Sequence, residues 1–73
     1  MKAKNIKLGQ LIKTQYGLAT IMKIWAPKSI SCILVGQNPF KVGTIAHKKY
    51  GQGKWINIQG FDFDEAEIIA NGN

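Results

Sequence analysis

The sequence contains no arginine, one cysteine and one histidine. It has four acidic residues, and all four acids follow residue 61. A catalytic nucleophile and base would have to be Cys32 and His47, and a closed zinc site takes four Cys or His ligands. The acids fall within six residues and would need a cleft to act in pairs. We therefore predict a protein that is not an enzyme and that holds no metal and no cofactor.

A lone cysteine excludes an internal disulfide and favours a reducing, cytoplasmic location. Cys32 lies in the apolar run 30–35 and is predicted to be a small buried hydrophobe. No apolar stretch follows the basic start of the chain as in a signal peptide, and none approaches the ~20 residues of a membrane span. We expect no membrane association.

Acidic residues are missing from the whole segment 1–61, while the chain carries a net charge of +6. With no internal ion pairing available there, the positive field favours a polyanion, either nucleic acid or an acidic protein surface. The alternative is that the charge serves solubility alone. The positive charge comes from ten lysines: Lys2, Lys4, Lys7, Lys13, Lys23, Lys28, Lys41, Lys48, Lys49 and Lys54.

The lack of arginine bears on the kind of nucleic-acid contact. Arginine reads guanine bidentately, whereas lysine offers a point charge suited to phosphates. Any nucleic acid, DNA or RNA, is therefore expected to be held mainly by its backbone with little base specificity. An A+T-rich genome would explain the same lysine bias without any functional meaning.

Glycine and proline divide the 73 residues into short β-rich runs, and no stretch keeps a helical period for three turns. We predict one domain, 1–73, with flexible ends at 1–7 and 71–73. A tight helical turn is predicted over 61–66, with Asp62 as its cap. Strands are predicted at 11–14, 18–25, 30–35, 41–49 and 54–59, with a last short strand at 67–70.

A hairpin is predicted around Gly51-Gln52-Gly53, between two alternating runs. Its register would pair Lys48 with Trp55 and His47 with Ile56. One face would then carry Ile45, His47, Ile56 and Ile58 to the core, and the opposite face, with Trp55, would be partly wet.

Two segments resemble SH3-like barrels of the KOW type and related families. Residues 9–21 (GQLIKTQYGLATI) are similar to the opening G-x-x-V-x-T-x-x-G-x-G-x-V, with Ala19 at the second family glycine. Residues 61–68 are similar to the closing F-x-x-x-E-x-x-I/V. The resemblance implies an all-β fold, a small five-stranded SH3-like barrel with a single helical turn before the last strand. Such barrels bind RNA, DNA, peptides or other subunits.

The predicted hairpin carries our candidate nucleic-acid site: Lys48, Lys49, Tyr50, Lys54 and Trp55. Lysines would neutralise phosphates, and aromatic rings would stack on bases at ~1–3 kcal/mol each. The alternative is that the stem of Lys48 merely covers Trp55 as an ordinary cross-strand pair.

The second predicted strand is apolar on both faces, which a one-sided sheet does not need. Either a bulge and barrel closure bury both faces, or one face meets a partner chain, with Ile21, Lys23 and Trp25 as the candidate protein-interaction residues. For Trp25, packing at the rim of the core is the preferred alternative.

The sequence thus predicts a binding module, with low-specificity nucleic-acid binding through the Lys/aromatic hairpin as the first hypothesis. The second is a protein-interaction module: an accessory subunit, or a small phage or mobile-element inhibitor that docks on a host nucleoprotein. Homo-oligomerisation would also satisfy the two-sided strand.

Overall fold

The computed structural model of the protein describes residues 1–71, and its secondary structure is mostly β. A short 3-10 turn at Ala3–Asn5 precedes the first strand, and two one-turn helices lie in the second half of the chain. The elements are β1 (Leu11–Thr14), β2 (Gly17–Ala26), β3 (Ser29–Gly36), α1 (Ile45–Lys49), β4 (Trp55–Gln59), α2 (Phe61–Glu65) and β5 (Glu67–Ala70).

The five strands form one antiparallel sheet in the order β4-β3-β2-β1-β5. The all-β class, the five strands and the helical turn before the last strand are confirmed. Within residues 1–71 the sheet is open, with β4 and β5 as its two edges, rather than closed into a barrel. The chain passes from one edge to the other through α2, whose Phe63 is fully buried.

The core lies on one side of this sheet and follows the alternation of the strands. Ile30, Cys32 and Leu34 of β3 point inward, as do Ile56 and Ile58 of β4. Because successive side chains of a strand alternate between faces, the intervening residues form a second, outward face. The remaining core residues are Ile12, Ala19, Ile21, Phe63 and Ala66.

The turn between β1 and β2 depends on a glycine. Gly17 has φ of +121°, and a Cβ atom there would lie 2.8 Å from the carbonyl oxygen of Gly36. The hydroxyl of Thr14 closes this turn by donating to the Gly17 carbonyl at 2.8 Å and accepting from the Tyr16 amide at 3.0 Å. Strands β1 and β2 are therefore joined with the tight connection that the sequence predicts at residues 15–17.

The predicted strand 41–49 and its hairpin are wrong. Thr44 caps α1 by accepting a hydrogen bond from the His47 amide at 3.1 Å, and Ile45 is 88% exposed rather than in the core. Strand β4 pairs with β3, which places Ile56 opposite Cys32 and leaves Lys48 without its predicted partner Trp55. A capped helical turn satisfies the local backbone, so β4 is free to pair with the longer strand β3.

Two bulges lie in the second half of β2, and the first of them reverses the side to which Lys23 and Trp25 point. The pairing with β3 shifts register between Ile21 and Lys23, and again between Ile24 and Ala26. The predicted common face of Ile21 and Trp25 is therefore wrong: Ile21 is buried, while the Trp25 indole bonds to Ser31 on the outward face. A bulge inserts an extra residue and so reverses the alternation beyond it.

The N-terminal residues are packed on the fold. Ala3 and Ile6 lie against the core, and the N-terminal ammonium donates to the Asp64 carbonyl at 2.8 Å. The predicted flexibility of residues 1–7 stays a prediction, as does that of 71–73, of which residues 72 and 73 lie outside the described part. No helix within residues 1–71 has the length and apolarity needed to cross a membrane.

Candidate nucleic-acid interface

The outward side of β2, β3 and β4 carries both tryptophans of the chain. Lys23 pairs with Ser31, and Ser31 pairs with Asn57, so these three side chains share one face. Trp55 lies two residues before Asn57 on the same strand and projects to the same side. We call this surface, made of Lys23, Trp25, Ser31, Trp55 and Asn57, the tryptophan face.

A chain of two hydrogen bonds fixes the centre of the tryptophan face. The Trp25 indole Nε1 donates to the Ser31 hydroxyl at 2.7 Å, and that hydroxyl donates to Oδ1 of Asn57 at 2.6 Å. Because an indole nitrogen can only donate, the Ser31 proton is left for Asn57, which fixes the orientation of the amide. No hydrogen bond from the Asn57 Nδ2 group to residues 1–71 is found, so this donor is open to solvent or a ligand.

Both tryptophans present most of their ring surface to solvent. Trp25 and Trp55 are each 61% exposed, although large aromatic side chains usually bury most of their area. The rim-of-core packing preferred for Trp25 is therefore not what anchors it. Its ring is held by Ser31 and by Lys23, whose ammonium lies 4.0 Å from the ring centroid.

The strand register relates the positions of the two tryptophans on the face. Ser31, which holds the Trp25 indole, and Trp55 are diagonal neighbours across the β3–β4 pair, a relation that spans about 7–8 Å between Cα atoms. Trp25 and Trp55 therefore lie within reach of one short extended ligand.

The tryptophan face is free of negative charge on all three of its strands. No Asp or Glu occurs before residue 62, so β2, β3 and β4 contain none. The acids lie in α2 and at the start of β5, and Asp64 is ion-paired with Lys28 at 3.7 Å in the turn after β2. The exposed cation Lys23 lies on the face over the Trp25 ring, and Lys54 directly precedes Trp55 on the edge strand β4, so the surroundings of the face are positive.

The structure does not assemble the five candidate residues of the predicted hairpin on one surface. Lys54 directly precedes Trp55, the first residue of β4, whereas Lys48 and Lys49 are exposed on α1. Tyr50 is half-buried and stacks on Tyr16 at 4.5 Å and on Phe40 at 5.2 Å between ring centroids. Its ring is therefore engaged within the fold rather than free to stack on a base.

The three candidate protein-interaction residues do not share one surface either. Ile21 is fully buried in the core, so it contacts no partner in this fold. Lys23 and Trp25 are exposed and belong to the tryptophan face. Sequence reasoning missed Ser31 and Asn57, because their role depends on the β3–β4 register, and the local sequence around each residue carries no sign of it.

Two ionisable side chains of the fold, Cys32 and Tyr16, have raised pKa values. Burial raises the pKa of the Cys32 thiol to about 12, which keeps it protonated and unreactive at neutral pH. A hydrogen bond to the Asp62 carboxylate, together with burial, raises the pKa of the Tyr16 phenol above its usual value. Among residues 1–71, no group of three or more His, Cys, Asp or Glu side chains is placed to hold a metal ion.

Comparison with known proteins identifies no relative. No protein family matches the chain, and neither the curated proteins nor the solved structures contain a significant match.

Proposed function

We propose that the protein binds single-stranded nucleic acid, DNA or RNA, on the tryptophan face with low sequence specificity. The observation that carries the proposal is the pair of exposed tryptophans on one face of three strands that lack acidic residues. Proteins that bind single strands combine a positive surface with aromatic rings on which bases stack. Every base has a π face, so such binding tolerates most sequences.

Each residue of the face has a role in this proposal. Trp25 and Trp55 stack on bases, and the Lys23 ammonium contacts a phosphate, while Lys54, next to Trp55 in the sequence, adds to the positive charge around the face. The open Nδ2 group of Asn57 donates to a base-edge acceptor. Lys48 and Lys49, away from the face on α1, contribute long-range attraction. Because bases inside a duplex are already stacked on one another, a single strand is preferred over a duplex.

The proposal is tested by the affinity of the chain for a mixed-sequence oligonucleotide of roughly 12 nucleotides. We expect Trp25→Ala and Trp55→Ala each to weaken single-strand binding by about 1–3 kcal/mol, or roughly 5-fold to 150-fold. Fluorescence anisotropy with a labelled strand measures this, with the corresponding duplex as a competitor. The matched control is Phe61→Ala, which removes an aromatic ring that is 73% exposed on α2, outside the face.

Salt provides the second arm of this experiment. Affinity should fall steeply between about 50 and 200 mM salt, and Lys23→Ala should lower the slope of log K against log salt by about one. Tryptophan variants that bind as tightly as the original chain, or an affinity that ignores salt, would contradict the proposal.

We also infer that the chain is an SH3-like module. The antiparallel order β4-β3-β2-β1-β5 and the helical turn before the last strand support this, together with the resemblance of residues 9–21 and 61–68. A reducing, cytoplasmic setting is proposed from the single buried thiol of Cys32.

A second candidate function is a protein-interaction module, as an accessory subunit or as a small phage or mobile-element inhibitor of a host nucleoprotein. It is favoured by α1 and the loop before it, where Val42 is 79% exposed and Ile45 is 88% exposed. Lys41, Lys48 and Lys49 lie in the same segment, so an acidic protein surface with an apolar pocket would fit it. Protein capture that survives nuclease treatment and is lost in a Val42→Ser, Ile45→Ser double variant would support this function.

A further inference from the structure

An apolar groove of about 600 Å³ adjoins the tryptophan face at the end of β2. One wall is the N-terminal segment, with Ala3, Lys4 and Ile6, and the other is residues 24–27, which include Trp25. This volume lies within the ~300–1,000 Å³ of typical ligand pockets. Trp25 thus belongs both to the groove and to the tryptophan face.

The surroundings of the groove carry positive charge. Lys4 is the charged residue among those that line it, and residues 1–61 contain no acid. Asp64 reaches the adjacent turn, where it is ion-paired with Lys28. An apolar slot with a cation at its side matches a nucleotide, whose flat base is apolar on its faces and whose phosphate is anionic.

The environment of Trp25 points to the same ligand. The Lys23 ammonium lies over one side of the indole ring, and the indole Nε1 edge is hydrogen-bonded to Ser31. Lys23 does not line the groove, whereas Trp25 does. A base that packs against Trp25 on the side away from Lys23 would therefore enter the groove.

We propose that this groove holds one unpaired nucleobase of the bound strand, with the Lys4 ammonium on the adjacent phosphate. The strand then runs from Trp55 across Asn57 and Trp25 into the groove between residues 3–6 and 24–27. This inference rests on the proposed single-strand binding and adds a distinct base site to it.

The test compares an oligothymidylate of roughly 12 nucleotides with an abasic strand of the same length. Ala26→Leu narrows the groove, and Ile24→Ala removes part of its wall. Both positions are exposed and lie near the end of β2. A thermal melt is used to check that each variant folds. We expect each variant to bind the oligothymidylate about fivefold more weakly and to bind the abasic strand as the original chain does.

Charge provides a matched pair of variants. Lys4→Glu and Lys2→Glu change the net charge equally in the same segment, but only Lys4 lines the groove. Lys4→Glu should weaken binding of both strands, and by several-fold more than Lys2→Glu does.

The outcomes separate this inference from the proposed function. If the groove variants bind oligothymidylate as the original chain does, while Trp55→Ala still weakens binding, the base site is wrong and single-strand binding stands. Equal effects of Lys4→Glu and Lys2→Glu also count against the site. If the original chain binds no oligothymidylate at low salt, both proposals are overturned.

Discussion

Cys32 has no solvent-accessible surface, and burial raises its thiol pKa to about 12. The thiolate is the reactive form of cysteine, so the folded chain should react with an aromatic disulfide reagent at about pH 8 only as fast as it unfolds. A colorimetric thiol assay, with and without denaturant, measures this. Full reaction within the mixing time in native buffer would show that the thiol is not buried.

Burial of single residues was predictable where a strand simply alternates. The apolar run 30–35 predicted a buried Cys32, and the alternation in 55–59 placed Ile56 and Ile58 inside and Trp55 outside. Trp25 was not predictable in this way, because the bulge between Ile21 and Lys23 reverses the direction of the side chains beyond it. Bulges depend on pairing with β3 and leave no local pattern.

The ranges of β1, β5 and α2 agree closely with the prediction, but the N-cap of α2 is Gly60 rather than the predicted Asp62, and the predicted strand 41–49 is wrong. The alternating pattern of 55–59 fits a hairpin with 41–49 and a ladder with β3 equally well. The choice between them is made by contacts distant in sequence, such as Ile30 with Ile58. Thr44, a good N-cap before residues 45–49, was the local cue for α1.

Hydrogen bonds from the β1–β2 turn to Asp62 connect this turn to α2. The Tyr16 hydroxyl donates to Asp62 at 2.9 Å, and Gln15 also donates to Asp62. The Asp62 hydrogen bond is the largest cause of the raised Tyr16 pKa. In a Tyr50→Phe background, Asp62→Asn should therefore lower the Tyr16 pKa toward its usual 10, measured by ultraviolet titration of the phenolate.

This contact also has a consequence for stability against pH. Because the folded-state pKa of Tyr16 lies above its unfolded value, the stabilisation it provides is present below pH ~10 and is lost as the pH rises through the folded pKa. The difference in free energy of unfolding between the original chain and Tyr16→Phe should shrink over that range. An unchanged Tyr16 titration in Asp62→Asn would show that the contact is absent in solution.

For the whole molecule, the distribution of charge could be read from the sequence and the arrangement of the site could not. The absence of acids before residue 62 predicted a positive surface. The three strands that form the tryptophan face, β2, β3 and β4, all lie within this acid-free segment. The candidate site moved from a hairpin to a sheet face because Trp25 and Trp55 are brought together by the order β4-β3-β2. The sequence predicted a closed barrel, whereas the sheet is open within residues 1–71.

Nuclear magnetic resonance titration of the ¹⁵N-labelled chain with a short single-stranded oligonucleotide tests whether single strands bind on the tryptophan face. Both indole Nε1–H signals and the Asn57 side-chain amide are expected to shift on binding, while the amides of α1 stay in place. Shifts confined to α1, with both indole signals unmoved, would show that single strands do not bind on this face.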